Sequence, residues 1–447
     1  MADQIAFINL RPVWARVPLL LAALVALYVS WYCVASGVGS TMAETAPGSY
    51  ANDPQAAMES AAAAVRLAPN APETHLMLAR LSQLSFEPEG VERAMREYEE
   101  AARLAPNDYL VWLEAGRARA ALGDARGGIE MLRRSVALAP NYAQPRWHLG
   151  NALLRAGQTE EAFAEMERAA DADASLRPQV FNLAWQVYGP DMARVIAVAG
   201  KTPEARAQLV KVLGGRGRFD DALAIWEGLD PAERRDHQAT GAELANALYG
   251  RGQFHLALRT LHEAGAVPDE LTTEKVWNGG FEYDIGQGMK LPFMWQITQP
   301  AGAQIALDAR AAASGHRSLR IVFNSSGQLE FGHVAQTVAV QPSTRYRLTY
   351  SQKTEELRSV ATLIVAATDA PGAAAPSVTL ASQYVPAPTG TTDWKQNSVE
   401  FTTGPGTEAF VIRIVRAGCP EGSCPIYGKI WYDDFNLERV GGRPAAR

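Results

Sequence analysis

The segment RLAPN occupies residues 66 to 70, returns at 103 to 107, and recurs as ALAPN at 137 to 141. Its starting positions are 37 and 34 residues apart. A recurring interval of that size is the mark of stacked helical hairpins: one hairpin cannot bury its apolar face alone, and its neighbours in the stack complete the core. Between the phrases, small residues at Gly116 and Gly150 let the first helix of a unit approach the second, and Gly123 and Gly157 mark the turns.

Working outward, Trp112, Gly116, Gly128, Leu132 and Pro140 stand at the intervals of the W…G…A…F…P pattern, with Gly and Leu replacing the usual Ala and Phe. The next unit sets Leu149, Gly150, Leu153, Ala162, Met166 and Ala169 in the same register but lacks the closing proline. GRGRFDDALAIWEGL (215–229) and GRGQFHLALRTLHEA (250–264) repeat the second-helix pattern 35 residues apart, with Ala222 and Ala257 at the small crossing position. This part of the chain resembles the tetratricopeptide repeat family. The resemblance implies about six hairpins over residues 53–267, wound into a superhelix with one concave wall that binds segments of other proteins. Residues 175–202 keep the helical pattern without the consensus and read as a divergent hairpin hinged at Gly189-Pro190. The repeat Trp, Leu and Met residues read as core. Arg117, Arg119, Arg133 and Arg155 either line the concave face or stand in solvent.

Before the repeats lies VPLLLAALVALYVSWYCVASGV (17–38), a run with no charged residue. About 20 residues at about 1.5 Å each cross a hydrocarbon layer of roughly 30 Å, so this run is long enough to span. Tyr28, Trp31 and Tyr32 lie toward its far end, where aromatic rings favour the headgroup boundary. Arg11 and Arg16 precede it and Glu44 and Asp53 follow it, which predicts a cytoplasmic 1–16 and an exterior location beyond residue 40. The reading is a single-pass anchor in the inner membrane, with 39–52 as a linker. The alternative, a cleaved signal peptide, has small residues at VASG and VGST in its favour, but the run exceeds an ordinary h-region. Bulky Ser30-Trp31-Tyr32 before Cys33 does not suit a lipobox.

At 447 residues the chain fits two or three domains with a linker or anchor. With 47% hydrophobic and 20% charged residues it can bury real cores. A net charge of -6 and no basic stripe argue against nucleic acid as a partner. The motifs HExxH, G-x-S-x-G and a Walker loop are absent, and the seven His are scattered, so no catalytic constellation is legible.

Past a linker at 268–275 the pattern alternates: SLRIVF (318–323), HVAQTVAV (333–340), YRLTYSQ (346–352), VATLIVAA (360–367), AFVIRIVR (409–416) and KIWYDDFNL (429–437). Short strands between Gly, Pro, Ser and Thr clusters indicate an antiparallel β-sandwich. Over 276–440, with a tail at 441–447, NGGFE, Trp295, a G-x-x-SL strand, VAQTVAVQPSTRYRLTY, Trp394 and WYDDFNL occur in that order. This set resembles the jelly-roll carbohydrate-binding modules of the family 4/9 type, in the galactose-binding-like superfamily. The resemblance makes VWNGGFEY (276–283) the opening strand, with Phe281 turned inward and Glu282 outward, and gives core roles to Trp295 and Trp394. It also implies a structural calcium held by Glu282, the Gly280 carbonyl and Asp433 or Asp434. Ordinary surface or hydrogen-bonded carboxylates are the competing reading. Adjacent strand residues point to opposite faces, so Asp433 and Asp434 do not flank one glycosidic bond. Sugar binding needs a flat aromatic, for which Trp277, Tyr283, Phe293, Tyr384 and Tyr432 are the candidates.

Cys419 and Cys424 in GCPEGSCP are spaced to close a small disulfide loop worth roughly 2 kcal/mol in an oxidising compartment; two reduced neighbouring thiols are the alternative. The expected whole is an α-then-β multidomain protein: anchor, periplasmic array, sandwich. Such a chain scaffolds envelope or secretion proteins, with a polysaccharide as a further partner, in exopolysaccharide or cell-envelope assembly. Two alternatives are a sandwich that only docks or caps the helical stack, and a divergent glycoside-active domain.

Overall fold

In the computed structural model each LAPN phrase is the joint between two helices. The carbonyl of its alanine accepts the amide three residues on: Ala68 from Ala71 (3.1 Å), Ala105 from Asp108 (3.1 Å) and Ala139 from Tyr142 (3.2 Å). The proline between them has no amide hydrogen and cannot continue the preceding helix. The structure describes residues 13–51, 53–85, 89–189, 191–285, 291–370, 380–381, 383–416, 418–419 and 424–441, without the side chains of 13–15, 47 and 49. Most of the 1–16 segment, Pro190 of the expected hinge and nearly all of the 441–447 tail lie outside the described residues.

The chain divides into two compact units, 1–199 and 200–447. The first holds α1 Val13–Tyr50, α2 Pro54–Leu67, α3 Pro72–Leu84, α4 Gly90–Leu104, α5 Tyr109–Ala121, α6 Ala125–Leu138, α7 Ala143–Arg155, α8 Thr159–Ala172, α9 Arg177–Tyr188 and α10 Met192–Ala199. Aspartates fix several starts by accepting otherwise orphaned amides: Asp53 from Ala56, Asp108 from Leu110 and Asp124 from Gly127, each at 2.9 Å. Helices α5 and α6 cross at backbone distance. A Cβ on Gly116 would lie 2.8 Å from Leu132 Cγ and 3.0 Å from the Gly128 carbonyl. From α3/α4 to α9/α10 the hairpins follow the expected order, and 175–202 forms one despite its lost consensus.

Most of the expected linker 39–52 is instead helix. Residues 39–50 continue α1 without a break, and its far end packs on α2, with Ala46, Ala57, Ala61, Leu78 and Leu81 in one cluster. Gly39 allows the approach, since a Cβ there would meet Ala68 Cβ at 2.7 Å. The small residues after the apolar run, which carry the cleavage alternative, are thus packing residues. Over Arg16–Ala46 the helix is long and apolar enough to cross a membrane, and its Leu20, Leu24, Leu27 and Trp31 are exposed.

The second unit opens with α11 Pro203–Gly215, α12 Phe219–Glu227, α13 Pro231–Asp236, α14 Gln238–Gly250 and α15 Phe254–Glu263. There follow β1 Gln296–Ile297, β2 Ala303–Asp308, β3 Ser318–Ser325, β4 Val334–Ala339, β5 Arg345–Arg358, β6 Leu363–Asp369, β7 Gly390–Thr402, β8 Ala409–Arg416 and β9 Ile426–Arg439. All described pairings are antiparallel, in sheets ordered β1-β4-β8-β6 and β2-β3-β9-β5-β7. Both sheets feed one core: Val338, Val365, Ile412 and Ile414 from the first, Ile321, Leu348, Tyr350 and Ile430 from the second.

VWNGGFEY is not a strand. It is a turn in which Asn278 and Phe281 take positive φ (50° and 54°), and Asn278 bonds Tyr283 through both side-chain atoms at 3.0 Å. Gly279 is pressed against β9, where a Cβ would collide with the Phe435 carbonyl. Phe281 is fully buried beside Trp295 and Phe435. Trp394, expected in the core, lies on the edge strand β7 and is only half-buried.

Candidate functional site

A cavity of about 400 Å³ in the first unit lies between α5 and α7. Its lining alternates by helical spacing. Trp147, Asn151 and Arg155 succeed one another by one turn on α7, and Arg117 and Ala121 do so on α5. On α7 the opposite face carries the core residues Leu149 and Leu153, so the packing that builds this hairpin also aims Trp147, Asn151 and Arg155 into the groove. Its base is small and apolar, with Ala118, Ala152 and Leu132. Glu114 is shared by Arg80 and Arg117, both at 3.3 Å. His148 is half-buried; burial pushes its pKa down, and Arg117 and Arg155 push it further, so the ring is neutral near pH 7.

Of the four arginines named from the sequence, Arg117 and Arg155 therefore line this groove. Arg119 is drawn to Asp124 (2.6 Å) and Arg133 to Glu161 (2.8 Å), both away from it. Trp147, His148 and Asn151 were not singled out. The face of α7 opposite Leu149, Gly150 and Leu153 carries the signal that finds them.

In the second unit the predicted calcium residues converge, but on backbone amides. Glu282 Oε1 accepts His316 N (2.8 Å) and Arg317 N (3.1 Å), and the His316 bond chiefly holds its pKa down. Asp433 is fully buried; its Oδ2 takes Ala313 N (2.7 Å) and Ser314 N (3.3 Å), its Oδ1 takes Asp434 N (2.8 Å), and burial pushes its pKa up to about 6. Asp434 accepts the Ser314 hydroxyl. The expectation that the two aspartates face apart is corrected, because both reach Ser314. The register between β5 and β9 slips between Thr349 and Ser351, opposite Asp434, which has φ 51°, and this bulge turns the second carboxylate toward the same loop. Gly280 lies beside Asp433, since a Cβ there would be 3.8 Å from Oδ1. Among the described residues no group of three or more His, Cys, Asp or Glu side chains is arranged to hold a metal. Carboxylates aimed at N–H donors do not fit the oxygen cage a calcium needs. They clasp the 311–317 loop to the turn at 278–283 and to β9.

The aromatic candidates separate by burial. Tyr432 is fully buried against Tyr350, and Phe293 is buried edge-on to Tyr249 at 5.4 Å, so neither offers a face to a sugar. Tyr384 is half-buried against the core and donates to the Ala367 carbonyl at 3.2 Å. Trp277 and Tyr283 stack on each other, centroids 6.1 Å apart, with Tyr283 60% exposed.

Cys419 and Cys424 are disulfide-bonded. The buried Arg416 guanidinium donates to the carbonyls of Ala361, Leu329 and Cys424 at 2.9 to 3.0 Å and to Cys424 Sγ at 3.2 Å, tying the bridge to β8.

No family model and no curated protein matches the chain. Solved structures match the helical part at low similarity. MamA (residues 41 to the end) from Desulfovibrio magneticus RS-1 is 16% identical with a TM-score of 0.30, covering 36% of this chain and 94% of that one. YrrB, described as a TPR protein with an unusual peptide-binding site, is 16% identical with a TM-score of 0.28, covering 37% and 88%. Pseudomonas aeruginosa pilF is 14% identical with a TM-score of 0.30, covering 52% and 90%. The description of the array as helical repeats rests on its own hairpins and joints.

Proposed function

We propose that this chain is a membrane-anchored scaffold whose helical array docks a segment of another protein in the groove between α5 and α7. The observation that carries the reading is that groove: small and apolar at its base and walled by polar groups from α5 and α7. The anchor is α1, apolar over Arg16–Ala46 and continuous with the array, so the first hairpin would stand at the membrane surface. The arginines before the run support an inner-membrane, N-terminus-inside topology with the rest outside the cytoplasm, an oxidising setting that suits the disulfide. The two-sheet domain would then be a jelly roll of the carbohydrate-binding type, with the exposed Tyr283 on Trp277 as its sugar platform, in an exopolysaccharide or envelope assembly. The reading is non-catalytic.

One observation favours the docking or capping alternative for the two-sheet domain. Tyr249 on α14 bonds Thr337 at 2.6 Å, and His255 on α15 bonds the Val340 carbonyl at 3.0 Å, so the domain covers the last hairpin of its own unit.

The test is co-purification from membranes with the full chain, with Ala121→Trp filling the groove, and with residues 276–440 deleted. Partner loss on Ala121→Trp alone is the expected result. Retention in that variant, with loss only on deletion, would refute the groove as the docking site. A phosphatase reporter fused after residue 60 is expected to be active; inactivity sinks the topology.

A further inference from the structure

The polar groups of this groove are mostly donors, and their charges do not balance. Arg117 and Arg80 both contact Glu114 Oε1, each at 3.3 Å. Arg155, exposed on the last turn of α7, has no ion-pair partner among the described residues. Asn151 places its amide in the cavity, one Nδ2 hydrogen going to the Trp147 carbonyl at 2.8 Å and the other left over. Among the lining residues two guanidinium groups, Arg117 and Arg155, stand against one carboxylate, Glu114, a local excess of one positive charge beside a base of alanines, Leu132 and the Trp147 ring.

Resting on the docking reading above, we propose that the groove takes an acidic segment of a partner protein. A glutamate or aspartate carboxylate meets Arg155, Arg117 and Asn151, and its alkyl stem lies on Ala118, Ala121 and Trp147. Charge complementarity selects the anion. A bidentate guanidinium suits a carboxylate, and the apolar base suits a side chain with a stem more than a bare inorganic anion. The cavity, at about 400 Å³, holds one or two side chains and not a folded domain.

The experiment uses the full chain in detergent micelles and two fluorescein-labelled peptides, one alternating glutamate with alanine, the other glutamine with alanine, read by anisotropy. The glutamate peptide is expected to bind about tenfold more tightly or better. Arg155→Gln should remove about tenfold of that affinity, Arg155→Lys should keep part of it, and Arg134→Gln on α6, outside the groove, should change nothing. Equal binding of the two peptides, or an affinity unmoved by both Arg155→Gln and Arg117→Gln, overturns the acidic class. Circular dichroism verifies that the variants fold. To separate this inference from the groove itself, Gln83→p-benzoylphenylalanine, at an exposed position of the groove lining, is photolysed with each peptide. Equal crosslinking by both overturns the acidic class but leaves the docking groove standing, whereas crosslinking by neither overturns both.

Discussion

Tyr432 and Tyr350 bury their rings side by side in the two-sheet core, and neither hydroxyl has a hydrogen-bond partner among the described residues. A buried hydroxyl without a partner costs more than it returns. Tyr432→Phe is therefore expected to raise the denaturation midpoint of the second unit, by about 1 kcal/mol; a loss of stability would place a partner at that hydroxyl. Asp433 carries a pH signature of the same origin. Burial raises its folded pKa to about 6 from an ordinary value of 3.8, so between about pH 4 and pH 6 the folded state binds more protons than the unfolded one. Its contribution to stability is present below about pH 4 and is lost as pH rises through 6. Urea denaturation of wild type and Asp433→Asn across this window should give a difference that shrinks on acidification; a constant difference would contradict the assignment. Because the clasp is made of amides, a chelator should leave the wild-type midpoint unchanged, whereas a calcium-held loop would lose stability.

The LAPN period and the W…G…A…F…P spacing made the hairpins legible because each marks a steric event: a proline that ends a helix, a glycine where two backbones meet. Gly116→Val is expected to force α5 and α6 apart and cost about 3 kcal/mol, seen as faster amide exchange in those two helices than in α9 and α10. Uniform exchange across the hairpins would show that the crossing is not tight. The alternating runs likewise fell on strands, since a sheet with one buried face writes its period into the sequence. Three features escaped. Residues 39–52 read as a linker because small residues look like punctuation, and only the partner helix reveals that Gly39 is a contact. The 276–283 stretch read as a strand because positive φ at Asn278 and Phe281 is fixed by tertiary packing against Phe435, not by local propensity. The aspartate pair read as divergent because a bulge breaks the alternation that the argument assumed. Burial of Tyr432 and Phe293 was illegible for a related reason: an aromatic serves a core or a surface equally well until its neighbours are placed.

The division of the chain at Ala199–Gly200 differs from the one its composition suggests, which falls where helices give way to strands near residue 270. The physical reason lies in α14 and α15. Tyr249 is edge-on to both Phe254 (5.1 Å) and Phe293 (5.4 Å), and its hydroxyl meets Thr337. Phe293, on the strand side of that boundary, is only 4% exposed with the helices in place. Cutting the chain at 276 strips Phe293 and Thr337 of this cover and leaves the Val340 carbonyl without its histidine. Exposing one phenylalanine costs about 2 kcal/mol and losing its aromatic contact about 1 kcal/mol more. A 200–441 fragment is therefore expected to unfold in one cooperative transition, at a higher midpoint than a 276–441 fragment. Phe293→Ala should lower the midpoint of the longer fragment and leave the shorter one nearly unmoved, because only the longer one buries that ring against Tyr249. Equal midpoints for the two fragments, or two separate transitions in the longer one, would mean that the helices contribute nothing to the two-sheet core.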